Sequence, residues 1–269
     1  MPSNPYIENE EKWKSLSDID WLAQFIRAWI TFNAWYRNNY PSLNDDRSII
    51  NEIKTNPNNL KGKTENLLLR RDNEGNKFRQ HLADLHKLLE EITINHRGTR
   101  LRFTEIFIEK NQTTTNGDSR RNINYTAEKT PQNQFKTSIV NSSGISKLEL
   151  TQGRYDENNL RRSPEFGRLS PEQQIVLIDC YREINPKKKS NIVENDPNKI
   201  RVDQETKQPV DALQIGSYYF VNNPELVCKA LIESIYLLRC VLFHGEIIPN
   251  KEVASIYEPS YHILKMLVG

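Results

Sequence analysis

Apolar residues are concentrated at the two ends of the chain, and this asymmetry limits what it can fold into. Twelve of the sixteen residues from Trp21 to Tyr36 are apolar, as are 26 of the 46 from Pro224 to Gly269. From Lys110 to Glu165 the count is only eleven of 56. A core drawn from such a chain must bring its two ends together, with a polar insertion between them, rather than form two domains in series. The hydrophobic content of 36% lies below that of ordinary globular chains, as expected if part of the chain adds little to a core.

Charge and motifs narrow the function. With 37 Lys and Arg against 35 Asp and Glu, the net charge is +2. That balance excludes a histone-like binder that pulls nucleic acid over its whole surface and leaves room for a local basic groove. Cys180, Cys228 and Cys240 form no C-x-x-C pair, so neither a disulfide framework nor a zinc finger is encoded. The opening residues MPSNPYIENEEKWK are polar and acidic, and no apolar run approaches the roughly 18 residues of a membrane span. A cytoplasmic chain with no membrane partner is expected. Glycine-rich phosphate loops, the dinucleotide fingerprint, H-E-x-x-H and G-x-S-x-G are all absent.

Periodicity supplies the elements. A helix is expected from Ser17 or Asp18 as N-cap, with Asp20 in its first turn, to about Asn38. Its stripe of Trp21, Phe25, Ile26, Trp29, Ile30, Asn33 and Tyr36 is widened by Leu22, Phe32 and Trp35, so it is buried on two sides. Short helices follow over Arg47–Lys54 and Glu65–Arg71, and an amphipathic one over Asn76–Asn95. The stretches 101–109, 135–140 and 146–150 alternate and suggest short strands. Ser170 caps a helix at 171–184 with Pro171 at N1, and a charged loop runs from 185 to 208. Asn223 and Pro224 start a broad-striped central helix that Gly245 closes, and 251–268 forms a last helix, interrupted or kinked near Pro259. The resulting expectation is an all-α helical bundle made of residues 1–96 and 224–269, with residues 97–223 a polar, partly α+β insertion.

Among the five histidines, His81 and His86 diverge by about 140° on an ideal helix and do not suit a metal pair. His96 sits in a polar turn, and His262 follows Pro259 and Tyr261 on the last helix. His244 differs. It ends the most apolar helix, five residues after Arg239, which stands among Leu237, Leu238, Val241 and Leu242. A guanidinium there needs a partner. One answer is a structural pairing with Glu233 or Glu246. The other is an anion site, in which Arg239 clamps a phosphate and His244 moves a proton near neutral pH.

The string LLRCVLFHGEI, with the early FIRAWITFNAWY helix, resembles the HEPN superfamily and, within it, the Apea-like and abortive-infection members of prokaryotic defence and toxin–antitoxin loci. Its signature is an Arg, four to six residues, then a His on a late helix, matched here by Arg239 and His244. The resemblance covers roughly residues 17–96 and 224–269. It implies a cofactor-free, metal-independent endoribonuclease that acts as a homodimer. The 2′-hydroxyl of an RNA substrate, tRNA being one candidate, attacks the adjacent phosphate and leaves a cyclic phosphate. It also implies an inhibiting or modifying partner, such as an antitoxin or a nucleotidyltransferase. Where many members carry a polar residue just after the Arg, this chain has Cys240 and Val241. That departure favours the alternative of a non-catalytic RNA-binding or scaffolding module.

Supporting roles fall to Asn33, which needs partners in its aromatic stripe, to Tyr236 as a stacking or packing ring, to Cys240 as a weak donor, and to Glu246 as a carboxylate that tunes His244. Arg161, Arg162, Lys187, Lys188 and Lys189 are candidate RNA contacts in the insertion. Tyr125, Tyr155, Tyr218, Tyr219 and Phe220 are candidate stacking partners.

Overall fold

The aromatic stripe near the N-terminus is wide enough to suggest burial on two sides, but the helix buries a single face and leaves Ile30 59% exposed. In the computed structural model, which describes residues 20–109, 111–194, 196, 199–201 and 209–269, it forms α1 (Trp21–Asn39) and buries Phe25, Ala28, Trp29, Phe32 and Tyr36. Asp20, expected inside the first turn, is instead the N-cap, its carboxylate accepting from the Ala23 N–H at 3.0 Å. Ser17 and Asp18 lie outside the described residues. Helices α2 (Asp46–Thr55), α3 (Asn59–Leu69) and α4 (Asn73–Glu91) follow, each opened by an Asp or Asn cap. The expected helix over Glu65–Arg71 thus starts earlier, because the Asn58 carboxamide caps Lys61 at 3.0 Å. A small hairpin of β1 (Asn95–His96) and β2 (Thr99–Arg100) leads to a 3₁₀ turn at Phe103–Glu105, where an extended strand was expected.

Residues 107–189 form a compact unit of their own. Strands β3 (Thr115–Arg120), β4 (Ile123–Lys129), β5 (Phe135–Asn141) and β6 (Ser146–Gln152) make an antiparallel meander. After α5 (Glu157–Arg162) and α6 (Pro164–Gly167), α7 (Pro171–Glu183) crosses one face of that sheet. Ser170 and Gln173 close a capping box at its start. Tyr125, Ala127, Phe135, Ile139 and Leu148 from the sheet meet Val176, Leu177, Cys180 and Tyr181 from α7. Each Val, Leu, Ile or Phe side chain among them contributes roughly 1.5–3 kcal/mol on burial.

The chain then returns to the first unit with β7 (Val193–Glu194), β8 (Ala212–Ile215) and β9 (Tyr218–Val221), paired in the order β7-β9-β8. Helix α8 (Pro224–Phe243) carries twelve buried residues and packs on α2 and α3. Helix α9 (Lys251–Val268) packs on α1 and α4 and runs unbroken through Pro259. Tyr257 of α9 donates its hydroxyl to the Leu238 carbonyl at 3.1 Å, which ties α9 to α8.

The expectation of an all-α bundle is overturned: the described residues are 52% helix and 18% strand, with three antiparallel sheets, so the fold is mixed α/β. The strands that carry this correction are hard to see in the sequence because one face of the larger sheet is polar. Strand β3, TNGDSR, has no large apolar residue at all, and β4 turns Tyr125 and Ala127 inward with Ile123 partly buried beside them. The insertion is also narrower than the expected 97–223, since the residues from Ser190 onward belong to the helical unit. Among the described residues no helix is long and apolar enough to cross a membrane.

Candidate active site

The last two turns of α8 hold both residues of the Arg-x4-His motif, and the helix end that separates them is tightly defined. His244 is the C-cap and Gly245 takes φ +65°, the left-handed conformation that closes a helix. The Glu246 N–H reaches the Val241 carbonyl at 2.9 Å and the Gly245 N–H the Leu242 carbonyl at 3.3 Å, a full Schellman closure. His244 is therefore held at the helix terminus by its backbone while its ring is exposed.

Arg239 turns the other way, into the helical unit. Its guanidinium lies 5.7 Å from the Trp29 ring and 4.8 Å from the Phe243 ring. Its Nη2 donates to Asp46 Oδ2 at 3.2 Å. Neither Glu233 nor Glu246, the carboxylates expected from the sequence, is its partner. Asp46 is the first residue of α2, and its other oxygen accepts from Arg37 at 2.5 Å. Arg37 is itself fixed by the carbonyls of Leu43 and Asn44, at 3.4 and 3.1 Å, across the turn that joins α1 to α2. One carboxylate thus serves two guanidiniums. Among the described residues Arg239 Nε is buried without a partner, so the ion pair through Nη2 carries the compensation for placing this charge beside Trp29.

Glu233 belongs to a second network two turns earlier. It is almost fully buried and accepts from Arg47 Nη1 at 2.8 Å on both oxygens and from Lys54 at 2.6 Å. The Arg47 guanidinium sits 4.2 Å above the Tyr236 ring. Tyr236 is consequently a packed residue, not an exposed stacking platform. Its hydroxyl is pushed up to about 12 by burial and by a hydrogen bond to Cys240. Cys240 is buried, with its sulfur 4.0 Å from Arg239 Nη1.

Asn33 reaches neither Arg239 nor His244: its amide donates to the Tyr36 hydroxyl. That hydroxyl is raised above its usual range by burial first and by the neighbouring Asp46 charge second. Glu246 pairs with His96 at 2.8 Å, which holds its carboxyl below the usual range. Of the basic clusters, Arg161 is engaged by Glu157 at 2.8 Å and Lys188 by Glu183, while Arg162 and Lys187 are exposed. All of these, with Lys189, belong to the 107–189 unit. The proposed stacking aromatics are largely consumed by packing. Tyr125 and Phe220 are buried, Tyr155 stacks on Tyr181 at 4.5 Å, and Tyr218 meets the buried His86 edge-on at 4.5 Å.

Asp46, Arg37, Arg47 and Trp29 are the neighbours that sequence reasoning missed. The one local signal was the charged string Asp45-Asp46-Arg47 just after a Pro turn. A hollow of about 600 Å³ beside α3, α4 and β8 takes in none of these groups. Its Arg79 is spent on the Leu68 and Arg70 carbonyls at the end of α3. Among the described residues no three His, Cys, Asp or Glu side chains are grouped to hold a metal ion. His81 instead stacks on His262 at 4.6 Å. No protein-family model matches the chain, and no curated protein or solved structure does.

Proposed function

We propose that the chain is a HEPN-like endoribonuclease of a prokaryotic defence or toxin–antitoxin system, cutting RNA without a metal at a site shared by two copies. The observation that carries this reading is the placement of Arg239 and His244 on one helix end. His244 is exposed at the C-cap, and Arg239 is held by a carboxylate that a phosphate can replace. Arg239 would bind the scissile phosphate through its fork of donors. A His244 imidazole would take the 2′-hydroxyl proton as the oxygen attacks phosphorus, and a second would protonate the departing 5′-oxygen, leaving a 2′,3′-cyclic phosphate. A cytoplasmic setting and an antitoxin or nucleotidyltransferase partner belong to the same proposal.

A second reading is favoured by the Arg239–Asp46 ion pair itself. A guanidinium packed on Trp29 and Phe243 and neutralised internally fits a structural arginine, and the chain would then be a non-catalytic RNA-binding or scaffolding module. Purified wild type, Arg239→Ala and His244→Ala are to be compared on total RNA and a tRNA pool with EDTA present, and the product ends analysed. Cleavage that survives EDTA, leaves cyclic phosphate and is lost in both variants supports the nuclease. Folded protein that does not cut, or variants that cut equally, supports the module.

A further inference from the structure

We propose that Arg37, Arg47 and Arg239 form a three-guanidinium platform for the phosphodiester backbone of single-stranded RNA, and that Asp46 is its resident counter-ion, displaced when RNA binds. The naming of RNA as the ligand rests on the functional reading above; the platform rests on the geometry.

Charges here are layered. The carboxylates lie inside, with the Glu233 side chain 3% exposed and Asp46 17%. The Arg37 and Arg47 side chains are more exposed than the carboxylates they pair with, at 41% and 40%. At Asp46 a single carboxylate is shared by Arg37 and Arg239, with the exposed Asp45 carboxylate close enough to feel the Arg37 charge. Each of the two Asp46 oxygens takes one guanidinium nitrogen, the arrangement in which two arginines hold the two free oxygens of a phosphodiester. Arg37 is preorganised by the Leu43 and Asn44 carbonyls, and Arg47 by Glu233 and the Tyr236 ring. Little side-chain freedom remains to be lost on binding. Phe243, 48% exposed and in contact with the Arg239 guanidinium, offers a face on which an unpaired base can stack.

The test measures binding of a fluorescent single-stranded oligouridylate by anisotropy over a range of salt. It is made in the His244→Ala background so that the probe stays intact. Arg37→Gln and Arg47→Gln are each expected to weaken binding about threefold or more and to flatten the log–log salt slope by about 0.7, one phosphate contact apiece. Asp46→Asn is expected to tighten binding about threefold or more, a gain that misfolding cannot produce, and circular dichroism checks all three folds. Inorganic phosphate and a mononucleotide serve as competitors. Displacement of the oligomer only by another oligomer assigns the platform to a chain of phosphates. Efficient displacement by either small anion overturns that assignment. No binding by the parent protein, or arginine variants within twofold of it with Asp46→Asn no tighter, overturns the proposal. If RNA is cut in a His244-dependent way while these variants bind normally, the platform fails and the nuclease stands. If nothing is cut but the variants shift binding as stated, the nuclease fails and the platform stands.

Discussion

Arg239 and Asp46, 193 residues apart in the chain, meet at 3.2 Å and join the end of α8 to the start of α2. Both side chains are mostly buried, at 21% and 17% exposure, so their pairing carries more weight than a surface ion pair. Arg239→Met keeps the aliphatic packing on Trp29 and Phe243 and is expected to cost about 1 kcal/mol, whereas Arg239→Ala also loses that packing and costs roughly 2–3 kcal/mol. Asp46→Asn leaves Arg239 beside Trp29 without its anion and is expected to cost about 1–2 kcal/mol. A double-mutant cycle in thermal denaturation should return a coupling of about 1 kcal/mol between the two positions. Additive effects would show that the pair does not couple the two helices.

Glu233 makes a stricter demand. It is buried between Arg47 and Lys54, and Lys54 is itself only 6% exposed along its side chain. Glu233→Gln leaves the Lys54 ammonium in the core without this carboxylate, at an expected cost of roughly 3–5 kcal/mol. Adding Lys54→Met to that variant should recover part of the loss, because it removes the buried ammonium whose ion pair with Glu233 the first substitution breaks. Melting temperatures of the two variants decide the point, and a double variant no more stable than Glu233→Gln alone would contradict it.

Gly216 is required by its surroundings. It takes φ +61° in the turn between β8 and β9, and a Cβ there would sit 2.6 Å from the Ala83 Cβ of α4. Gly216→Ala combines backbone strain with overpacking and is expected to cost roughly 2–4 kcal/mol. Gly144, at φ +78° in the turn between β5 and β6, has nothing within 4 Å of a built Cβ. Gly144→Ala carries the strain alone, about 1 kcal/mol. Comparing the two separates conformational strain from close approach.

What the sequence made legible follows the range of the physics that encodes it. Caps and closures act within a few residues, so Asn223, Pro224 and Gly245 marked the limits of α8, and Ser170 with Pro171 marked the start of α7. Strand β3 left no trace because neither of its faces holds a large apolar side chain. The turn that follows it places Arg121 and Asn122 at φ +50° and +61°, a tight hairpin made without the usual glycine. Tyr218 and Phe220 read as available aromatics because the rings they pack on, His86 and Phe103, lie more than 100 positions earlier. Arg239 announced that it needed a partner, but no local rule points from position 239 to Asp46.

Two histidines, His86 buried and His81 half-buried, give the fold a pH dependence whose sign follows from their surroundings. His86 on α4 is 3% exposed, packed against Tyr218 and Phe220, and its Nδ1 has no partner among the described residues. Burial lowers its pKa, with the Glu90 carboxylate opposing. His81 is lowered in the same way, by burial and by the neighbouring His262 charge. In the unfolded chain both take up protons near pH 6.5. The unfolded state therefore binds more protons than the folded one below that pH, and stability falls as pH drops through it, by up to about 1.4 kcal/mol per pH unit for each histidine. Above pH 7 both are neutral in either state and contribute no slope. Urea denaturation between pH 7.5 and about 5, above the range where Glu246 and the other carboxylates titrate, is expected to show this loss. His86→Leu should remove one of the two protons and roughly halve the slope. An unchanged slope in His86→Leu would mean that His86 takes up its proton at the same pH folded and unfolded, with Glu90 cancelling the effect of the apolar contacts around it.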